Sequence, residues 1–386
     1  RADLSEANLS EVDLTEANLT EADLGGVNLR GKNGRLDEDL IEIRESGDYS
    51  GVTSFDLSGD VHYLTTKSGI LYELRNEEST IVLDLNNNPK FTTASKGGLL
   101  SVVSNDDYIY ISYTIEGDGV NQKYLVVVDE YSKTLEKVRN ITQIGTAALG
   151  HNGGALVIDK FGSLYLSTGD DQNKGSAQSL QLLNGKILRL DISKTNPEPE
   201  IVAYGVRNPW KISIDPENRM FIADCGNITV ESLYVIDDLY PATPYNLGWP
   251  NFEGTIRQQL DVDIKDLSYK DTLAPIHEYR HLRNVPACVI GGFFLDDPQV
   301  YLFGDYSGFL RLLKQQRDGK WHEIYSQNVD TDIWSFGYDE KTKRLYMGGS
   351  SSFELFVSAE KINLLPRVTL CKTTMPNGII DDSSCD

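Results

Sequence analysis

The segment DKFGSLYLSTGD (Asp159–Asp170) indicates the fold, because the chain repeats its pattern. An Asp opens a short turn segment, and Leu, Tyr and further strand-forming residues follow it. The same pattern returns in DPENRMFIADCG (Asp215–Gly226) and in DEKTKRLYMGGS (Asp339–Ser350). Asp and Gly favour tight turns, and β-branched, aromatic and aliphatic residues favour strands. Each copy therefore predicts a turn followed by a strand.

Short segments of this kind fill the chain from about residue 50 onward, and long helical periodicity is absent. They are rich in Val, Ile, Leu and Tyr and are bounded by Gly, Asp or Asn. Repeated four-stranded units separated by such turns are typical of a β-propeller. A β-sandwich is the alternative, but the repeated region is longer than one sandwich usually holds. The sequence thus predicts an all-β fold, with a propeller over residues 50–360.

The first thirty residues differ from the rest, because a Leu recurs at every fifth position. The six leucines are Leu4, Leu9, Leu14, Leu19, Leu24 and Leu29. A five-residue step turns about 500° around an α-helix, so it makes no helical stripe. The pattern A(D/N)Lxx resembles the pentapeptide-repeat family, which implies a right-handed β-helix over residues 1–31. So short a solenoid needs neighbours to bury its core. We therefore expect self-assembly through residues 1–30, with residues 32–49 as a linker.

The formal net charge is −22, and the isoelectric point is about 4.6. This charge argues against nucleic-acid partners, whose phosphates need basic residues, and it suits a protein that binds cations. No apolar run approaches the roughly 20 residues that a membrane helix needs, so we expect no membrane insertion.

The four cysteines contain no CxxC pair, which argues against zinc. Two of them, Cys371 and Cys385, bracket a short polar loop in the tail, residues 361–386. This spacing predicts a disulfide clamp and therefore an oxidising compartment. We expect an extracellular, cell-surface or periplasmic protein.

Five further segments follow one another in the middle of the chain. They are GHNGGALVIDKFGSLYLSTGDD (150–171), SAQSLQLLNGKILRLDIS (176–193), PEIVAYGVRNPWKISIDP (199–216), ADCGN (223–227) and YNLGWPNFEGT (245–255). Together they resemble the soluble glucose/sorbosone dehydrogenase family, which includes the aldose sugar dehydrogenases. GGLL (Gly97–Leu100) and YLFGDYSG (Tyr301–Gly308) extend the resemblance, which covers about Ser50 to Ser358. It implies a six-bladed β-propeller that uses pyrroloquinoline quinone (PQQ) with calcium.

The resemblance also implies roles for individual residues. His151 matches the family's catalytic His, which takes the proton of the sugar hydroxyl, and imidazole has a suitable pKa for a general base. Arg207 and Asn208 match a pair that assists the quinone. Gly226 and Asn227 match the turn whose backbone carbonyls hold calcium.

Two further positions are weaker matches to the family's site. Glu231 is a candidate structural calcium ligand, although the family has two consecutive acids there and this chain has Ser232. Lys96 is a candidate cofactor-binding residue. The other polar or aromatic residues of these segments have structural interpretations: Asp170 and Asp171 brace a turn, Trp249 and Pro250 form core and turn, and Gly185 and Lys186 are structural.

The late strands depart from the family where it binds PQQ carboxylates with basic residues. Ser307, Gly308 and Phe309 stand at one such place, and Val329, Asp330 and Thr331 at another. The missing positive charge would be supplied by other late arginines only if their side chains point inward. These are Arg280, Arg283 and Arg311.

Two hypotheses therefore stand. The first is a secreted PQQ- and calcium-dependent dehydrogenase that oxidises an aldose at its anomeric carbon. The second is a catalytically silent propeller that acts as an extracellular binding protein or assembles into a surface layer or filament. The expected partner is a sugar substrate or a glycan.

Overall fold

The computed structural model describes residues 41–357, except 46–48, 76–77, 120–121, 149, 260–266, 282–284 and 296–298, and also residues 373–374 and 380–381. The chain divides into two compact units. The larger unit comprises residues 43–281 and 286–356, and the other comprises 1–42, 282–285 and 357–386. The β-helix predicted over residues 1–31 and the predicted Cys371–Cys385 clamp both lie outside the described residues.

Strand β1 (Ile41–Glu45) comes first and belongs to the last large sheet. The next two sheets are formed by strands consecutive in sequence. The first contains β2 (Val52–Asp56), β3 (His62–Thr66), β4 (Ile70–Arg75) and β5 (Glu78–Asp84). The second contains β6 (Leu99–Ser104), β7 (Tyr108–Glu116), β8 (Tyr124–Ser132) and β9 (Lys137–Thr146).

The third and fourth sheets carry most of the predicted site. The third contains β10 (Leu156–Ile158), β11 (Leu164–Thr168), β12 (Lys186–Leu190) and β13 (Glu200–Tyr204), with helix α1 (Lys174–Gln178) between β11 and β12. The fourth contains β14 (Pro209–Ile214), β15 (Met220–Asp224), β16 (Val230–Ile236) and a later strand described next.

The connection after β16 contains three short strands. They are β17 (Tyr245–Asn246), which joins β13, and β18 (Phe252–Glu253) with β19 (Ile256–Arg257), which form a separate hairpin. Strand β20 (His277–Arg280) then completes the fourth sheet beside β16. Single 3-10 turns lie at Leu85–Asn87 and Tyr269–Asp271.

The last two large sheets follow. The fifth contains β21 (Val289–Leu295), β22 (Val300–Asp305), β23 (Phe309–Gln315) and β24 (Trp321–Asn328). The sixth contains β25 (Ser335–Asp339), β26 (Arg344–Gly348), β27 (Ser352–Val357) and β1. In the smaller unit, β28 (Thr373–Thr374) pairs with β29 (Ile380–Asp381). No helix among the described residues is long and apolar enough to cross a bilayer.

The all-β propeller prediction is confirmed. The first strands of neighbouring sheets contact one another in the order β2, β6, β10, β14, β21 and β25, and β25 contacts β2 again. The blade count needs a correction: five sheets, rather than the predicted six, are regular four-stranded blades. The remaining large sheet has five strands, because β17 adds to β13 in parallel.

The repeated aspartates explain why the opening pattern makes hairpins. Asp159 Oδ1 accepts the backbone N–H of Phe161 and of Ser163, each at 2.9 Å. Asp215 and Asp339 occupy the same place in their own hairpins and also accept backbone N–H groups. A side-chain carboxylate that caps a turn in this way fixes the reversal locally. The predicted turn and strand are therefore present in all three copies.

The core lies between neighbouring sheets. Every residue of β11 and of β15 is buried, because their sheets are covered on both faces. One cluster packs residues of the second sheet against the third, and another packs the third against the fourth. Residues 41–45, within the segment predicted as a linker, form β1 and complete the sheet that contains β27.

Candidate functional site

The predicted site residues lie on connections that the hairpins bring to one edge of the sheets. In an antiparallel pair, the start of one strand lies beside the end of the next. Pro209 of β14 therefore pairs with Asp224 of β15, and Val289 of β21 pairs with Asp305 of β22. We call this edge the mouth, and it comprises residues 94–98, 150–154, 169–172, 205–208, 225–230 and 286–288.

His151 is held at the mouth by a buried carboxylate. Its Nδ1 lies 2.6 Å from Asp170 Oδ1, and Asp170 is fully buried. An ionised carboxylate only accepts, so Nδ1 carries the proton and Nε2 is left as the basic nitrogen. Among the residues that the structure describes, none bonds Nε2. Asp170 Oδ2 accepts the indole N–H of Trp249 at 2.8 Å, which fixes the carboxylate in turn.

Two glycines shape the turn that carries His151. Gly153 has a φ of 60° and Gly154 a φ of 91°, both in the left-handed region. Residues with a Cβ rarely adopt these angles. A Cβ on Gly154 would also overlap the side chain of Leu100 in the neighbouring sheet. The glycines therefore permit a close approach of the turn to the strands beneath it.

Arg207 and Asn208 are positioned by their backbone. Both N–H groups donate to the carboxylate of Asp224, at 3.0 and 2.8 Å. Burial raises the pKa of Asp224 to about 7, opposed by these hydrogen bonds. Asn208 Oδ1 accepts the N–H of Gly153 at 3.2 Å, and Arg207 O accepts the N–H of Asp170 at 2.8 Å. The pair is thus bonded directly to the segments that hold His151.

The turn with Gly226 and Asn227 is organised around Glu253. Glu253 Oε1 accepts the backbone N–H groups of residues 227–230 at 2.7 to 3.1 Å. Its other oxygen, Oε2, is buried without a hydrogen-bond partner among the described residues. A Cβ on Gly226 would overlap the carbonyl oxygen of Val230. The N–H groups of the turn point to the Glu253 carboxylate. The backbone carbonyls of the turn are therefore the groups that a calcium ion could use.

Glu231 lies behind the same turn and is fully buried. Its Oε1 lies 2.6 Å from His281 Nε2, and its Oε2 accepts the N–H groups of Gly226 at 3.0 Å and Val289 at 2.8 Å. The hydrogen bond to Glu231 raises the pKa of His281. Both oxygens of Glu231 are engaged by protein groups, and its role as a calcium ligand stays a prediction.

Lys96 lies at the rim of the mouth. Lys96 is an exposed residue. Partial desolvation of its ammonium by the surrounding groups lowers its pKa, and the nearby charges of Arg207 and Lys67 lower it further. Lys67 itself is anchored by a hydrogen bond from Nζ to Ser95 O at 2.8 Å. Lys96 and Arg207 of the mouth and the neighbouring Lys67 thus place three basic side chains near one another, in a protein that is strongly acidic overall.

The late arginines differ in their surroundings. Arg311 is engaged by Glu323, 2.8 Å away, and lies over the ring of Tyr279. Arg280 is an exposed residue of β20, at the outer edge of its sheet. Arg283 lies outside the described residues. Basic residues that the family resemblance leads us to expect are absent at Val329, Asp330 and Thr331. Because Arg311 is paired with Glu323, it does not supply the missing positive charge.

The structure also contains site features that the sequence interpretation missed. Asp224 holds the Arg207–Asn208 segment and Glu253 holds the turn after Gly226. Both residues lie inside the quoted motifs ADCGN and YNLGWPNFEGT, which is the sequence signal that could have identified them. Cys225 and Cys288 form a disulfide, and the only sequence signal for it is an even number of cysteines. Asp170 does brace a turn, as expected, but it also orients His151.

Trp249, predicted as core, is buried, and Lys186 is a fully buried structural residue. The Lys186 ammonium donates to the carbonyl oxygens of Ser176, Ala177 and Asn184 at 2.6 to 3.1 Å. Two clefts, of about 340 and 270 Å³, lie at other places and contain none of the predicted site residues. The described residues contain no cluster of three or more His, Cys, Asp or Glu able to hold a metal, so calcium would rely on backbone carbonyls.

Comparisons with known proteins identify the family of the chain. A family model of glucose / sorbosone dehydrogenase matches residues 54–288, more than half of the chain, and one of pentapeptide repeats matches residues 1–31 with eight copies. Aldose sugar dehydrogenase YliI of Escherichia coli (strain K12) is 29% identical over 217 residues, 49% of this chain. The match spans 57% of that relative, so the chain covers less than two thirds of its length.

Two solved structures share the fold. The apo-form of the soluble aldose sugar dehydrogenase of Escherichia coli has a TM-score of 0.65 and 22% identity, covering 83% of this chain and 99% of that one. The PQQ-bound aldose sugar dehydrogenase of Streptomyces coelicolor has a TM-score of 0.63 and 16% identity, covering 82% and 98%. At these identities the likeness shows the fold, and the family is shown by the sequence match. This chain belongs to the glucose / sorbosone dehydrogenase family.

Proposed function

We propose that this protein oxidises an aldose sugar at its anomeric carbon with PQQ and calcium, and that His151 is the general base. The observation that carries the proposal is the hydrogen bond from His151 Nδ1 to the buried carboxylate of Asp170. Family membership supports the reaction class, and the PQQ-bound structure of a protein with the same fold supports the cofactor.

The pair His151–Asp170 suits proton abstraction. Asp170 fixes the tautomer in which Nε2 is unprotonated, and its negative charge stabilises the imidazolium that forms when Nε2 takes the proton of the sugar hydroxyl. Trp249 holds the second carboxylate oxygen, so the carboxylate cannot rotate away without losing a hydrogen bond. The only slightly exposed side chain of His151 keeps the base partly shielded from water.

The residues at the mouth fit the cofactor. PQQ, when bound, accepts the hydride, and calcium increases the polarisation of its quinone. Lys96, Lys67 and Arg207 offer positive charge to an anionic cofactor. The Gly226–Asn227 turn offers carbonyl oxygens of the kind that calcium prefers. The absence of a Cβ at Gly226 allows this turn to close on Val230.

The proposal extends to architecture and location. What supports counting the five-stranded sheet as a sixth blade is the ring of contacts among the first strands, to which β10 contributes. What supports an extracellular or periplasmic protein is the Cys225–Cys288 disulfide, since such bonds persist in oxidising compartments. A sugar substrate and assembly through residues 1–30 are part of the same proposal.

The test is aldose-dependent dye reduction by protein loaded with PQQ and calcium. His151→Ala should lower kcat at least about 100-fold, the typical share of a general base, and leave PQQ affinity within a few-fold. His322→Ala, a histidine on β24 outside the mouth, is the matched control and should keep wild-type turnover. Equal turnover in both variants would show that His151 is not the general base.

One observation favours the second candidate, a catalytically silent propeller that binds or assembles. In the described structure the basic residues at the mouth come from early connections, and Arg311 is engaged by Glu323. A sugar or glycan bound without PQQ, at the same mouth, would then be the ligand. Binding of PQQ by the wild-type protein discriminates between the two candidates.

A further inference from the structure

The Cys225–Cys288 disulfide joins two segments of the mouth that are far apart in sequence. The two cysteines are separated by 63 residues. Cys225 directly follows β15 in the fourth sheet, and Cys288 directly precedes β21 in the fifth. The bond therefore links the connections of two neighbouring sheets at the mouth rather than two strands of one sheet.

Cys225 is also in direct contact with the predicted cofactor residues. Its N–H donates to Asn208 O at 3.2 Å, and its carbonyl accepts Arg207 Nη1 at 3.0 Å. The next residue along the chain is Gly226. A displacement of the Cys225 backbone would therefore shift Arg207, Asn208 and the calcium-binding turn together.

Cys288 is the fixed end of this link. Its N–H donates to Asp305 Oδ2 at 3.2 Å, and its carbonyl accepts the N–H of Tyr306 at 2.9 Å. Asp305 is the last residue of the fully buried strand β22. The disulfide thus connects two segments that are held differently. The turn after Cys225 is held mainly by the carboxylates of Glu231 and Glu253, and the fifth sheet is held by backbone hydrogen bonds between its strands.

Glu231 makes a second connection between the same two segments. Its Oε2 accepts the N–H groups of Gly226 and Val289, which directly follow the two cysteines. A covalent tie and a hydrogen-bonded tie therefore run side by side. Loss of the covalent one leaves the turn held to the fifth sheet by hydrogen bonds to a single carboxylate oxygen.

We propose that the Cys225–Cys288 disulfide positions the Gly226–Asn227 turn for cofactor binding, so that its reduction loosens the turn and weakens binding of PQQ and calcium. The proposal rests on the proposed function for the identity of the ligand. Cys225 and Cys288 are positioning residues: they hold the turn and Arg207 and take no part in the reaction.

Reduction by a dithiol reagent follows ordinary exchange chemistry. A reagent thiolate attacks Sγ of Cys288, because Cys288 is a half-buried residue and Cys225 is a buried one. The Sγ–Sγ bond breaks, and the Cys225 thiolate takes a proton. The second thiol of the reagent then releases Cys288 as a thiol and leaves the reagent as a cyclic disulfide, so two electrons pass from reagent to protein.

The experiment uses the full chain with Cys371→Ser and Cys385→Ser, so that Cys225 and Cys288 are its only cysteines. Hydrogen exchange of the amides of residues 226–230 is measured without cofactor, before and after reduction by dithiothreitol, with thiol counting as proof of reduction. PQQ affinity is measured in excess calcium under both conditions. The amides of Phe161 and Ser163, capped by Asp159 far from the disulfide in sequence, are the internal control.

We expect exchange of residues 226–230 to rise at least about tenfold on reduction, while the control amides stay unchanged. We expect the dissociation constant for PQQ to rise about 10- to 100-fold, because binding must then order the turn. The doubly substituted Cys225→Ala/Cys288→Ala protein, compared under non-reducing conditions, should behave like the reduced protein.

Unchanged exchange and affinity in fully reduced protein would overturn the proposal. So would global unfolding of both the reduced and the doubly substituted proteins, seen by far-ultraviolet circular dichroism, because the bond would then hold the whole fold. If the oxidised protein binds no PQQ, the proposed function fails, and the exchange measurement still decides whether the disulfide holds the turn.

Discussion

Replacing Asp170 with Asn tests the arrangement around His151 with a minimal change of shape. The carboxylate has three donors: His151 Nδ1 and the Gln172 N–H at one oxygen, and the Trp249 indole at the other. An amide offers one acceptor oxygen and one NH₂ group. If its oxygen faces Trp249, the NH₂ faces His151 and imposes the tautomer that has no basic Nε2. If its oxygen faces His151, the NH₂ opposes the indole N–H.

The expected magnitudes follow from these two orientations. A buried donor left without an acceptor costs about 1–3 kcal/mol, so Asp170→Asn should lower the free energy of unfolding by that amount. Loss of the negative charge that stabilises the imidazolium should lower kcat about 100-fold, and the wrong tautomer about 10⁴-fold, as in a Ser-His-Asp triad. We therefore expect a loss of kcat between these limits, with little change in PQQ affinity.

The assays are chemical denaturation, dye-coupled aldose oxidation and ¹⁵N chemical shifts of the His151 ring. Asp159→Asn is the matched control, because Asp159 is also buried and caps a turn but has no histidine partner. It should lose stability and keep kcat. An Asp170→Asn protein with wild-type kcat and an unchanged His151 tautomer would refute the assigned role of Asp170.

Three further predictions concern the surroundings of the site. Glu253→Gln should lower the free energy of unfolding by about 1–3 kcal/mol and weaken calcium-dependent PQQ binding, because four N–H groups lose a charged acceptor; unchanged calorimetric stability and affinity would contradict this. Lys96→Gln should weaken PQQ binding about two- to fivefold at low salt and less at high salt, whereas Lys160→Gln, an exposed lysine beside Phe161, should not. Burial lowers the pKa of Lys186 to about 7. Between pH 7 and the usual pKa range of lysine, the unfolded chain therefore binds one more proton than the folded protein. Lys186 should then raise the free energy of unfolding by up to about 1.4 kcal/mol for each pH unit in this range. Denaturation of Lys186→Met at pH 7 and 9 should show a smaller rise than wild type, and an equal rise would contradict the depressed pKa.

The parts of the fold that the sequence predicted are those set by local interactions. Asp159, Asp215 and Asp339 each cap a turn with amides only a few residues away, so the repeated pattern directly encodes three hairpins. The burial of neighbouring strands then follows from their apolar composition. Strand β17 was not predicted, because two residues joining a sheet in parallel leave no periodic signal.

The site was predicted where a motif identified the residue and missed where distant segments meet. His151, Arg207, Asn208 and Gly226 lie on segments that hydrogen bonds connect at the mouth, and their roles stay predictions. Glu253 contacts the turn from 23 or more residues away, and the two cysteines are separated by 63 residues, so neither contact has a local signature. The disulfide predicted in the tail, between Cys371 and Cys385, stays a prediction.

The most direct test of the central claim is a titration of the purified, oxidised wild-type protein with PQQ in excess calcium, followed by dye reduction with a panel of aldoses. We expect saturable, calcium-dependent binding at micromolar PQQ or below, and dye reduction that requires both sugar and PQQ. An absence of PQQ binding at micromolar concentration, in protein that circular dichroism shows to be folded, would contradict it and identify the protein as a propeller that has kept the family's fold without its cofactor.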